Sequence, residues 1–340
     1  MSDELFIIST DPFNAESPAP ALAQPLTPTR NSYVRTNFGV PQLDAAHRIT
    51  VGGAVEQPFD IDLNELARMP QRELTVTMEC AGNDRTRMNP VPEGEPWRVG
   101  AMSTSQWSGV PLRDLLARAR VRAAARELVI AGADSGLRGD ADAPVTFARS
   151  MSLDDATAAD TILALTMNGE PLTSEHGAPA RIVVPGWYGM ASVKWVTSIE
   201  AIDHAFTGYF QRARYVYDVD GRITPVTRMK VKSSIVSVES GERVRPGTLT
   251  VWGWAWSGDG AIERVEVTTS AGETIAARLD TPMSRHAWTR WEARLRLAPG
   301  RCTITSRATD ASGATQPERA EWNRLGYGNN AVRSIEIVVE

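Results

Sequence analysis

The chain of 340 residues is too long for one ordinary hydrophobic core, and its length points to about two domains. With 42% apolar and 23% charged residues it reads as globular rather than disordered, collagenous or coiled-coil, and no apolar run approaches the roughly 18 residues of a membrane span. A net charge of −5 gives no electrostatic reason to expect nucleic acid or anionic lipid as a partner.

In chain order, the first thirty residues hold Pro12, Pro18, Pro20, Pro25 and Pro28 and few large apolar groups, which predicts a proline-rich extended arm over 1–30. No Lys or Arg precedes Arg30, and the apolar run Leu5 to Ile8 is too short for a secretory signal core. The expected compartment is the cytoplasm, or the periplasm if the terminus is processed. From Tyr33 the pattern predicts an α+β mixed domain over 31–228. Asp62 and Glu65 form a capping pattern that opens a short helix stopped by Pro70. Leu74 to Met78 alternates as a strand with Cys80 at its end. Pro111 to Arg120, with Leu112, Leu115 and Leu116 at helical spacing, reads as a helix. Glu127 to Ala131 reads as a strand followed by a loop from Gly132 to Gly136, and Ser152 to Ala158 as a capped helix. Thr161 to Met167, the turn Asn168-Gly169, and Arg181 to Val184 read as strands joined through a hairpin and loop.

Past Arg228 helical periodicity ends. Short strands are expected near Ser234–Val238 and over Leu249–Trp256, Ile262–Thr269, Thr274–Leu279, Trp288–Leu297, Thr303–Thr309 and Val332–Val339. They predict an all-β immunoglobulin-like sandwich over 229–340. Trp252, Trp254 and Trp256 alternate and share one face, as a tryptophan-rich core or as a subunit contact. Cys302 falls in register with small and apolar residues and is assigned to the sandwich core.

Two cysteines and the scattered His47, His176, His204 and His286 offer neither a disulfide framework nor a zinc spacing. A metal here would take most of its ligands from elsewhere. Arginine supplies all but three of the 36 basic residues, so the three lysines, Lys194, Lys230 and Lys232, are the scarcer signal. Cys80 enters the small polar turn Ala81-Gly82-Asn83-Asp84-Arg85, and neighbouring guanidinium groups favour its thiolate. Three readings stay open on these residues: a buried strand-end cysteine, a nucleophile, or a soft-metal ligand.

The stretch Glu79-Cys80-Ala81-Gly82-Asn83-Asp84-Arg85 resembles the Cys-Ala-Gly-Asn-x-Arg signature of the sulfite oxidase family. Further segments similar to that family follow in order: Tyr33-Val34-Arg35-Thr36-Asn37-Phe38-Gly39-Val40-Pro41, Trp97-Arg98-Val99-Gly100 with Trp107, and Asp134-Ser135. His176-Gly177 with Arg181-Ile182-Val183-Val184-Pro185-Gly186, then Ser192-Val193-Lys194-Trp195, and the tail from Glu321 to Asn330 complete the set. The resemblance covers about residues 31–340. It implies a molybdopterin-dependent oxidoreductase that oxidises sulfite to sulfate by oxo transfer, with Cys80 as the single protein ligand of molybdenum. It places Arg35, Arg85, Trp97 and Tyr215 around the substrate, and Asn37, Asp134, His176, Arg181, Ser192 and Lys194 on the molybdopterin. It also implies a homodimer formed through 229–340. The substrate would be a small oxyanion, which planar guanidinium groups suit.

The chain departs from the family at several points. Thr36 and Asn37 stand where a histidine is frequent, Asp84 replaces an often basic residue, and the tail arginine falls at Leu325, with Arg324 one place earlier. The changes at Asp84 and Leu325 lower the positive potential expected around the substrate. No CxxCH haem sequence occurs, so electrons are expected to pass to a separate acceptor. The alternatives are the same cofactor acting on an S-oxide, an N-oxide or nitrate, a cofactor-free binding module, and a thiol nucleophile with Cys80 activated by His176.

Overall fold

Two five-stranded sheets with a few short helices packed on them build the first domain; the computed structural model describes residues 4–44 and 46–340. One sheet runs Phe59–Asp62, Arg48–Gly53, Val196–Ile202, Glu127–Gly136, Val145–Ser152, and its only parallel pair is Val196–Ile202 with Arg48–Gly53. The other runs Glu170–Pro171, Ile162–Met167, Met102–Pro111, Arg72–Glu79, with Arg181–Val183 also pairing to Ile162–Met167. Ile49, Val51, Leu128, Ile130 and Ile199 of the first sheet share one core with Leu112, Leu115 and Leu163.

The helices form where capping and spacing call for them, but they are short. Asp62 accepts from the Glu65 amide at 2.9 Å in a complete capping box, and Ser152 caps Leu153–Thr157. The longest, Leu112–Ala119, has eight residues; Pro111 is its cap rather than its first turn. The molecule is thus mostly β, and the α+β expectation overstated the helix. The expected loop from Gly132 to Gly136 is instead strand: Glu127–Gly136 continues through a register shift between Ala131 and Ser135. Such a bulge re-aims side chains, and this one carries Asp134.

The expected extended arm is a packed element; its first three residues lie outside those described. Phe6–Thr10 and Phe13–Glu16 pair as a hairpin, Ala19–Leu22 is helical, and Asn14, Ala15 and Glu16 are buried. Its prolines serve as helix starts and turns, Pro18 capping the helix that carries Pro20 in its first turn, rather than as a stiff linker.

In the second domain two sheets enclose a separate core. One contains Lys232–Ile235, Gly247–Trp256, Thr289–Leu297 and Arg278–Leu279; the other contains Arg243–Val244, Arg333–Val339, Gly300–Asp310, Ile262–Thr269 and Thr274–Ala276. Val251, Trp291 and Leu295 meet Val265, Ile304 and Ile337 between them, and Cys302 is buried there as expected. The expected strand Thr274–Leu279 divides at Ala277, one half going to each sheet.

Trp252, Trp254 and Trp256 do share a face, but they line neither the sandwich core nor a free surface. They face the first domain. Trp254 stacks on Trp288 at 4.7 Å, and their indole N–H groups donate to the carbonyls of Leu22 and Pro25 at 2.7 and 3.0 Å. Trp256 donates to Glu79 at 3.0 Å.

Candidate functional site

Cys80 follows directly on the strand Arg72–Glu79, and its turn is held from several sides. The Cys80 amide donates to Ala101 O at 2.8 Å, and its carbonyl accepts from Asn83 N at 2.9 Å. The Asn83 side chain bridges Glu79 Oε1 and the Ala101 amide at 2.9 and 3.1 Å, and Asp84 closes the turn at a φ of 67°. The second domain grips the same turn. Lys232 Nζ lies 3.0 Å from Glu79 and 3.5 Å from Asp84, all three side chains being buried, while Asn329 Nδ2 donates to Asp84 O at 2.8 Å. Asp84 therefore shares the one Lys232 ammonium with Glu79 and does not line the cleft beside Cys80.

That cleft is partly open to solvent. Around Cys80 it is lined by Arg35, Asn37 and Tyr215. Arg35 donates from Nη2 to Asn37 Oδ1 at 2.8 Å, and Asn37 Nδ2 donates to the Tyr215 hydroxyl at 3.3 Å. Its remaining wall carries Asp134, His176, Arg181, Ser192 and Lys194. Arg181 donates to the carbonyls of His176 and Ser192 at 3.1 and 3.0 Å, and Lys194 Nζ donates to Glu175 O at 2.7 Å. His176 Nε2 is 3.1 Å from Thr29 O. A carbonyl only accepts, so Nε2 carries the proton and Nδ1 is left as an acceptor.

Electrostatics divide the cleft. Burial, with Arg181 and Lys194 nearby, pushes His176 down to about 4, so the ring is neutral at pH 7. Burial, with Arg181 adding to it, also drives the Lys194 ammonium well below its ordinary range. Asp134 is raised to about 6 by burial, with Lys194 opposing. Burial pushes the Cys80 thiol up, and Arg35, the Gly82 N–H and Arg85 partly offset it. His176 is occupied with Thr29, and no hydrogen bond joins it to Cys80 among the described residues. The cysteine nucleophile is therefore not what this geometry makes.

Two expected site residues stand off the cleft. Arg85 is 4% exposed and spends its donors on Leu325 O at 3.1 Å and Glu95 O at 2.7 Å, with its guanidinium 5.1 Å from the Tyr327 ring. Gly82 makes this possible, since a Cβ there would lie 2.5 Å from Arg85 Nη2. Trp97 is buried behind Cys80 with Ala101 and does not line the cleft. Arg324 turns to Asp218 at 2.8 Å, away from the site.

Residues 37–210 match the family model of the oxidoreductase molybdopterin binding domain, and residues 224–340 that of the Mo-co oxidoreductase dimerisation domain. The chain belongs to the sulfite oxidase family. It is 35% identical to sulfite oxidase from Gallus gallus, covering 96% of this chain and 76% of that protein. It is 34% identical to mitochondrial sulfite oxidase from Homo sapiens over 98% of this chain, and spans just under two thirds of that protein's length. Among solved structures, the sulfane dehydrogenase SoxCD from Paracoccus pantotrophus superposes with a TM-score of 0.87 at 29% identity, covering 99% of this chain and 90% of that one.

The cleft fits the pterin that this family carries. Asp134 Oδ1, Arg181 Nε and Trp107 Nε1 are buried, belong to residues lining the cleft, and have no protein partner. Native proteins leave few such atoms unpaired, and an acceptor beside two donors is what a pterin's mixed edges would satisfy. The family motifs also overlook contributors. Tyr33 and Trp195 line the cleft and were legible only as motif neighbours, Trp195 at a φ of 52°. Arg149, 1% exposed and 5.7 Å from the Tyr215 ring, donates to the carbonyls of Phe210 and Val226; one arginine among so many gives no sequence signal.

Proposed function

We propose that this chain oxidises sulfite to sulfate and hands two electrons to a separate acceptor, acting as a homodimer joined through residues 229–340. The observation that carries the reading is one cleft in which the Cys80 thiol lies beside Arg35 and Tyr215, with Asp134, His176, Arg181 and Lys194 on the remaining wall. When bound, the cofactor supplies the two-electron centre at which oxygen is exchanged. Cys80 would hold its molybdenum. Arg35 pairs with no carboxylate among the described residues, so its charge is available to bind and orient a dianion. Because Asn37 donates to the Tyr215 hydroxyl, the phenolic proton is free to donate to substrate or product. Tyr33, Trp107 and Phe147 add apolar surface to the cleft walls. Burial disfavours the Lys194 ammonium and an arriving phosphate would favour it, while Asp134, Arg181 and His176 Nδ1 orient the pterin. The boundary near Arg228 and the immunoglobulin-like class of the sandwich belong to the same reading, supported by the first strand of the second domain, Lys232–Ile235, and by its two-sheet layout.

A second reading, oxidation of a sulfane sulfur, is favoured by the smaller set of cationic donors on the cleft: Arg85 does not line it, and Leu325 stands in the tail. Protein from a molybdenum-replete host, analysed for metal and for oxidised-pterin fluorescence and assayed with sulfite, with a sulfane donor and with an artificial acceptor, decides between them. Absence of molybdenum, or a Cys80→Ser variant as active as the parent, overturns both. Turnover of the sulfane donor without turnover of sulfite overturns the first.

A further inference from the structure

We infer that the N-terminal hairpin is part of the substrate end of the site, with Asn14 as the residue that positions Arg35. The inference rests on Arg35 being the donor that binds the sulfur oxyanion. Asn14 is 0% exposed. Its Oδ1 accepts from Arg35 Nη1 at 3.2 Å and from Thr36 N at 2.8 Å, and its Nδ2 donates to Ser9 Oγ at 2.9 Å and Pro12 O at 3.0 Å. Both donors and both acceptor sites of the amide are thus in use, so it cannot turn without breaking several bonds. The hairpin cannot drift either. Ala15 and Val34 exchange backbone bonds at 3.0 and 2.9 Å, Thr36 Oγ1 donates to Phe13 O at 2.8 Å, and Glu16 pairs with Arg98 at 3.1 Å.

The chemistry of the acceptors matters as much as their placement. Arg35 is held by Asn14 Oδ1, Thr36 O and Asn37 Oδ1, all of them neutral. A carboxylate would fix the guanidinium as firmly and cancel its charge; an amide fixes it and leaves the charge, with two N–H groups unspent, for an anion. Asn14, Arg35 and Thr36 precede position 37, where the match to the cofactor-domain model starts.

The test uses the full-chain, molybdenum-loaded protein and four readouts: KM and kcat for sulfite, calorimetric binding of sulfate, molybdenum content and melting temperature. Asn14→Ala is expected to raise KM and weaken sulfate about tenfold, as loss of a bond to a charged group does, with kcat and metal content little changed. Arg35→Ala is expected to do the same or more. Should Asn14→Ala yield no folded protein, Asn14→Asp carries the test: it keeps an acceptor, adds a negative charge beside Arg35 and is expected to weaken sulfate at least as much. If Arg35→Ala weakens sulfate while the folded, metal-loaded Asn14 variant binds it like the parent, Asn14 is only a loop staple and the inference is wrong. If Arg35→Ala itself leaves sulfate binding unchanged, the reading of Arg35 as the anion donor fails, and the inference with it.

Discussion

Replacing Lys232 by methionine should destabilise the protein far more than a lysine normally matters. Lys232 is 5% exposed and its ammonium sits between Glu79 and Asp84, residues at 1% and 3%. Burial alone would push the ammonium down, yet the two carboxylates outweigh it and hold it above its ordinary range. Lys232→Met leaves both carboxylates buried without their counter-charge, and removing one partner of a buried pair costs about 3–5 kcal/mol. At roughly 2 °C per kcal/mol for a large domain, the melting temperature should fall by about 6–10 °C. Glu79 immediately precedes Cys80, so molybdenum content should fall in the same variant. Adding Glu79→Gln removes one stranded charge and should recover part of the loss in a double-mutant cycle, although its single oxygen can keep only one of the bonds that Oε2 accepts from Trp256 and Oε1 from Asn83. Calorimetry and metal analysis are the assays. A Lys232→Met protein that melts within a degree of the parent and retains its molybdenum refutes the argument.

The Asp160 carboxyl is buried, which alone would raise it, but hydrogen bonds from His286, Arg285 and Arg72 hold it at about 2. A depressed carboxylate stabilises above its unfolded value and loses that stability on protonation, so about 1–2 kcal/mol should vanish as pH falls from about 4 towards 2. Urea titrations should show Asp160→Asn weaker than the parent at pH 7, with the gap closing over that window. Gly82→Ala drives a Cβ against the pinned Arg85 guanidinium and should cost about 1–3 kcal/mol; Gly82→Ala with Arg85→Ala should relieve the clash, so its loss should be smaller than the sum of the singles. Trp254→Ala removes one half of the stack with Trp288 and the bond to Leu22 O, and should lower stability by about 3–5 kcal/mol, with proteolysis near residues 19–28 accelerated.

Local rules carried much of the fold. Asp62 and Glu65 made the capping box, Leu112, Leu115 and Leu116 the buried helix face, and the second-domain strands fell near their expected places. What local pattern misses is the partner across the fold. The alternation of Trp252, Trp254 and Trp256 gives their common face but not the surface it meets. Proline content alone cannot tell a stiff arm from a run of caps and turns, and so Asn14 went unseen. At the site, motif order named Cys80, Arg35, Asn37, Asp134, His176, Arg181, Ser192, Lys194 and Tyr215, and all of them line one cleft. Arg85 and Trp97 stand apart because a motif fixes neighbours along the chain, while the direction of a long side chain is set by carbonyls such as Leu325 O, far away in sequence. Asp84 looked like an unfavourable charge for the same reason: its counter-ion, Lys232, comes from the other domain.

The bonds from Trp254 to Leu22 and from Trp288 to Pro25 span 232 and 263 residues. A ribosome releases residues 6–28 long before either indole exists. The hairpin can pair with Val34 and Arg98 early, but the carbonyls of Leu22 and Pro25 wait for their indole donors until most of the polypeptide has emerged. Closing those two bonds is thus a late step that joins the start of the chain to the second β-rich body.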